Sequence, residues 1–177
     1  MKSKIMIAVI LALFTALGAQ CVNESFDVAL NIPISGSFVL PAGATSFNQP
    51  TTVNLETVAG SYDELSGGTI YDVRIKVSPG RPGRTLSGAS GSVNSLAVFT
   101  IPSTVSWDHF LTERSALNDT LIRLNQANLA TLAQTLFTKP LPTVTLSAAG
   151  TLSEQSVTGD TFTVTIYAQA NGTIRTN

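Results

Sequence analysis

Apolar and polar residues alternate with a period of two through much of this chain. In SFDVALNIPI, Phe26, Val28, Leu30, Ile32 and Ile34 fall on one side, and Asp27, Ala29, Asn31 and Pro33 on the other. Successive side chains of an extended chain point to opposite faces, so this spacing predicts a half-buried strand. Pro33 has no N–H to give to a ladder, which puts the strand, or its far end, at a sheet edge. A turn is predicted at Ser35-Gly36, then an apolar pair in Phe38 and Leu40 that Pro41 to Gly43 end. TTVNLETV repeats the period with Val53 and Leu55.

TIYDVRIKVS carries the strongest alternation: Tyr71, Val73, Ile75 and Val77 are predicted to face inward, and Asp72, Arg74 and Lys76 outward. PGRPGR, from Pro79 to Arg84, punctuates the chain as a turn. The hydroxyl-rich stretch that follows predicts one or two strands, closing in the apolar run Leu96 to Ile101. LNDTLIRL, from Leu117 to Leu124, fits either a strand or the first turns of a following helix, and is read as a strand. TVTLSAAGTLS and DTFTVTIYAQANGTI supply two more. In the second, Phe162, Val164, Ile166 and Ala168 share a face, and Asn171-Gly172 is a hairpin signal.

One segment has a different period. Leu129, Leu132, Ala133 and Leu136 lie at i, i+3, i+4 and i+7, the stripe of a helix packed on a core. Asn125 is placed to cap it, and Pro140 and Pro142 follow its end, so a helix is predicted near residues 125–137. Short strands separated by Gly, Pro and Ser turns, with one short helix, predict an all-β fold: an antiparallel immunoglobulin-like β-sandwich. A parallel sheet would need helices between its strands.

Composition changes this picture at the amino terminus. Lys2 and Lys4 precede Ile5 to Leu17, where Thr15 is the only polar residue. That run is shorter than the roughly twenty residues a membrane span requires. A basic start, an apolar run and the small residues Ala16 and Gly18 have the layout of a secretory signal over residues 1–20. Residues 21–177 are then one β-sandwich domain, long enough to be stable through its core.

The remaining domain has eight basic and eleven acidic residues, a net charge of 8 − 11 = −3, so nucleic acid is not an expected partner. Charged residues make up only 12%, against 18 Ser and 23 Thr, and hydroxyls must wet much of the surface. Cys21 is the only cysteine, which rules out an internal disulfide.

Cys21 directly follows the apolar stretch, and the segment resembles a bacterial lipoprotein signal, in which such a cysteine is acylated and becomes the mature amino terminus. Lipoprotein signals usually carry Leu three residues before the cysteine and a small residue just before it; here those places hold Gly18 and Gln20. The mature chain is also similar to bacterial envelope lipoproteins with a sandwich fold and no assigned function. The likeness lies in the order of an alternating strand after the cysteine, a YDVRIKVS strand, and NLATLAQTLFTKPLPTVTLSAAGTLS before a last strand. It implies an envelope location in the periplasm or on the outer surface. Cleavage before Ala19 is the other reading, and it leaves a soluble secreted domain with a free thiol.

Little in the sequence points to catalysis. His109 is the only histidine, and its neighbour Asp108 would point away from it on a strand. No G-x-S-x-G elbow is present to offer a serine. One His and one Cys far apart do not make a zinc site, no calcium-loop pattern is present, and no metal or cofactor is expected. Asp63-Glu64 reads as a solvated turn.

The expected function is therefore a non-enzymatic, lipid-anchored envelope module with a structural or binding role. Its expected partners are a membrane, through Cys21, and an envelope protein or polysaccharide. Arg81 and Arg84 are the exposed-looking basic pair for an anionic partner. The alternative is a carrier holding a small apolar or lipid ligand between helix and sheet, near Trp107, Leu129 and Leu132.

Overall fold

In the computed structural model, which describes residues 25–55, 65–137 and 143–175, the alternating segments pair into two antiparallel sheets. The leader at residues 1–20, Cys21, Asp63-Glu64, Pro140 and Pro142 lie outside the described residues. The strands are β1 (Ser25–Val39), β2 (Ser46–Asn54), β3 (Leu65–Ser78), β4 (Thr85–Val93), β5 (Leu96–Ile101) and the short β6 (Val105–Ser106). A 3-10 turn, Trp107–Phe110, leads to the short β7 (Arg114–Ser115) and β8 (Arg123–Leu124). Helix α1 (Gln126–Leu136), β9 (Thr143–Leu152) and β10 (Thr161–Arg175) follow. Among the described residues, one sheet has the order β1-β10-β3-β7 and the other β2-β9-β4-β5-β8, with β6 paired to β4.

The fold is an all-β antiparallel sandwich with one α-helix, as the alternation predicts. The immunoglobulin-like detail does not follow from this strand order: the first and last strands pair along their whole length, from Ser25 opposite Arg175 to Val39 opposite Thr161. β1 lies at the edge of its sheet, where Pro33 can be accommodated.

Two predicted turns are absorbed into strands. β1 runs straight through Ser35-Gly36 because Gly36 is the point where it presses on the opposite sheet. A Cβ built there would lie 2.2 Å from Thr51 Cγ2 and 3.0 Å from Leu146 Cδ2. β10 likewise continues through Asn171-Gly172, since β1 and β3 flank it and supply the ladder bonds that a free hairpin would lack. The hairpin that does form is at Asn94 and Ser95, whose φ values of 50° and 65° suit the tight turn between β4 and β5. The Asn94 side chain also accepts a bond from the Thr145 amide at 2.8 Å, which ties the turn to β9.

The predicted inward face of β3 is corrected at one residue. Asp72 opposes Gln169 while Ile70 opposes Ala170, so Tyr71 is the extra residue of a β-bulge. Ile70, Val73, Ile75 and Val77 are buried, but Tyr71 joins Asp72 on the outer face and is 42% exposed. LNDTLIRL is also mostly turn, with only Arg123–Leu124 pairing to Phe99 and Thr100.

Helix α1 forms where its stripe predicts. The Asn125 side chain accepts from the Asn128 amide at 3.1 Å, and Leu129, Leu132, Ala133 and Leu136 are buried. The helix packs on β3 and β5, closing one open side of the sandwich. Phe137, just past its end, fits over Gly68, where an added Cβ would come within 2.4 Å of its ring. Phe162 is central to an aromatic cluster between the sheets, with the rings of Phe38, Phe47 and Trp107 each 5.2 Å away.

Candidate functional site

The residues singled out from the sequence do not form one open site: the Trp107 amide donates to the Arg84 carbonyl at 2.9 Å, while Leu129 and Leu132 lie apart on α1. Trp107 is 2% exposed and donates its indole N–H to the Pro79 carbonyl at 3.0 Å, so it belongs to the core at one end of the sandwich. Leu129 and Leu132 are each 1% exposed on the buried stripe of α1. An apolar cavity between the sheets, lined by Phe47, Phe99, Phe110 and Phe162 among others, measures about 30 Å³. That is room for about one water molecule, whereas pockets for small organic ligands run to hundreds of Å³.

Arg81 and Arg84 are not a solvated pair. Their loop folds onto the segment before β10, where Asp160 accepts from both guanidinium groups: Arg84 Nη1 at 2.7 Å on one oxygen, and Arg81 Nε at 3.0 Å and Nη2 at 2.5 Å on the other. Arg84 is 7% exposed and Asp160 is 4% exposed. Asp108 from the 3-10 turn accepts from the Arg81 amide at 2.7 Å, which joins three loops at this end. Burial pushes the Asp160 carboxyl up, but its bonds and charge contacts with Arg84 and Arg81 outweigh this and hold it below its ordinary value.

A polar concavity instead forms beside β7, at the edge of the four-stranded sheet. It encloses about 640 Å³ and is lined by His109, Glu113, Arg114, Ser115, Asn118, Asp119, Thr120 and Leu121. The 3-10 turn brings His109 to its wall, and the turn after β7 brings Asp119 to meet it, with Nε2 2.5 Å from Oδ2. Asp119 also accepts from the Leu121 amide at 3.0 Å. Burial pushes its carboxyl up, but the bonds from His109 and Leu121 and the charges of His109 and Arg114 leave it below its ordinary value. An ionised carboxylate only accepts, so His109 Nε2 donates to it. Arg114 Nε donates to the His109 carbonyl at 2.9 Å.

The concavity continues onto the outer face of the sheet. Asp72, 2% exposed, accepts from Ser115 Oγ at 2.7 Å, the Leu117 amide at 3.3 Å and Arg74 Nε at 3.4 Å. Arg74 also reaches Glu113 at 3.0 Å. Further along the same face, Gln169 donates to Asn31 at 2.6 Å, and Tyr167 lies opposite Arg74. Because Ser115 gives its hydroxyl to Asp72, it is not the hydroxyl a His109-Asp119 pair would activate. Among the described residues no group of His, Cys, Asp and Glu is arranged to hold a metal ion.

Sequence reasoning named His109, Asp72 and Arg74 but not the other groups they meet. Asp119, Glu113 and Asp160 sit in irregular segments and Arg114 in the two-residue β7, where no periodicity marks which side chains meet.

No known protein family matches the chain, and no curated protein matches it. Among solved structures, it is similar to a chain of turnip yellow mosaic virus at 11% identity, with 87% of this chain and 96% of that one covered and a TM-score of 0.35. It is similar also to a chain of desmodium yellow mottle tymovirus at 12% identity, covering 88% and 84%, with a TM-score of 0.34. Likeness at this level carries nothing about what the chain does.

Proposed function

We propose that this chain is an exported β-sandwich anchored to a membrane by an acyl group on Cys21, serving as a cell-envelope module with a structural or binding role rather than a catalytic one. The observation that carries this reading is the position of the lone cysteine. Cys21 follows an apolar leader-like run and precedes β1, which begins at Ser25, by only four residues. Four residues reach at most about 14 Å, so an acyl group there would hold the domain close to the bilayer.

Strand register gives the anchored domain an orientation. Ser25 pairs with Arg175 at the tethered end, while Val39 pairs with Thr161 at the other. The Arg81, Arg84 and Asp160 cluster, next to Thr161, would therefore sit away from the membrane. Cleavage before Ala19 would give the same domain in secreted form. The small internal cavity gives no support to a carrier of an apolar ligand.

Fractionation of expressing cells tests the anchor. The wild-type chain is expected in the membrane fraction and the Cys21→Ala variant in the soluble fraction. Wild-type protein found soluble, with an unmodified amino terminus at Ala19, would contradict the anchor.

A further inference from the structure

The outer faces of the two sheets differ in chemistry. On the six-stranded sheet, β2 and β9 present outward Ser46, Asn48 and Thr52 beside Thr145, Ser147 and Thr151, with no charge among the outward residues of these two strands. The four-stranded sheet presents two tyrosines, an amide pair and linked ions on one continuous surface.

Tyr71 faces outward only because of the bulge. Without the extra residue, strict alternation would have buried it with Val73 and Ile75. Bulges re-aim side chains and recur beside binding sites. A large aromatic ring left 42% exposed on a pleated surface is the kind of group that stacks on a ligand. Tyr167 lies on the neighbouring strand opposite Arg74, three residues beyond Tyr71. Strand geometry sets their Cα atoms roughly 8–11 Å apart, a separation comparable to the length of a disaccharide.

The groups around these rings favour an uncharged partner. Arg74, Lys76 and Arg114 are balanced by Asp72, Glu113 and Asp119, and most of these ions are already hydrogen-bonded to one another or to neighbouring groups. What they leave is a dense set of fixed donors and acceptors with no net charge. Fixed planar polar groups beside the exposed Tyr71 ring and the half-buried Tyr167 match the alternating hydroxyls and C–H faces of a sugar.

We infer that the outer face of the four-stranded sheet, from Tyr167 past Tyr71 to the concavity at His109, binds a neutral glycan. This deepens the binding role proposed above by naming the class of partner. The binding residues do not include Cys21, so the glycan and the anchor can be tested apart.

Titration calorimetry of the full chain as purified from cells, with cellotetraose and chitotetraose as probes, tests the inference. Binding of at least one probe is expected. Tyr71→Ala and Tyr167→Ala should each weaken it about tenfold, in line with the contribution of an aromatic contact. Tyr71→Phe should retain binding, and Asn48→Ala, on the opposite sheet, should leave it unchanged. Circular dichroism of each variant should match the wild type, since neither tyrosine belongs to the buried core.

Three results would overturn the inference: no binding of either probe at millimolar concentration, equal loss in Asn48→Ala, or tighter binding of dextran sulfate than of the neutral oligomers. None of these would bear on whether the chain is membrane-anchored. Failure of the fractionation test would likewise leave the glycan result standing.

Discussion

Asp160 holds two guanidinium groups on one carboxylate, and of the three partners only Arg81 is appreciably exposed, at 25% of its side chain. Replacing Asp160 by Asn would leave Arg84 buried without a counter-charge, at a cost of about 3–5 kcal/mol near neutral pH. The pH dependence follows from the direction of the shift. A carboxyl held lower in the folded state contributes stability above its ordinary value of 3.8, and that contribution is lost as pH falls through the folded value. Urea midpoints of wild type and Asp160→Asn should therefore differ at pH 7, and the gap should narrow only once pH falls below 3.8. A gap of constant size would mean that Asp160 is not the ionised hub of this cluster. From the sequence, Arg81 and Arg84 look like a solvated tip, because Pro-Gly loops are usually exposed. The carboxylate that buries them is 76 residues or more away, a distance at which no local pattern signals contact.

At the level of elements, alternation was legible wherever a strand had one buried face and regular pairing. Leu30, Ile32 and Ile34, and likewise Phe162, Val164, Ile166 and Ala168, are buried as their spacing requires. The helix was legible too, since both its stripe and its Asn125 cap are local properties. Local turn signals failed at Ser35-Gly36 and Asn171-Gly172, where long-range strand pairing determines the path. Tyr71 was misplaced because a bulge shifts the phase of alternation without a residue type that announces it. Gly36 offers a direct check. Gly36→Val would drive a branched side chain into Thr51 and Leu146, and overpacking of this kind costs about 1–3 kcal/mol. A thermal midpoint unchanged from wild type would show that β1 does not press on the opposite sheet there.

For the whole molecule, two sheets closed on one side by α1 make a body whose core is contributed by most of its strands, and whose polar groups are drawn into pairs at one end and one edge. The candidate site was less legible than the fold. His109 stood out as the only histidine, but Tyr71 read as an inward strand residue, and the surface they share is assembled by β7, a two-residue strand, and by the turn at 116–121. The proposed envelope role rests on the amino terminus, where an acyl group on Cys21 would tether the β1 end of the sandwich.

Intact mass of the protein purified from its native membranes tests that tether most directly. The account predicts a chain beginning at Cys21 and carrying the added mass of acyl groups. A mass equal to the full chain from Met1, or to an unmodified chain from Ala19, would contradict it.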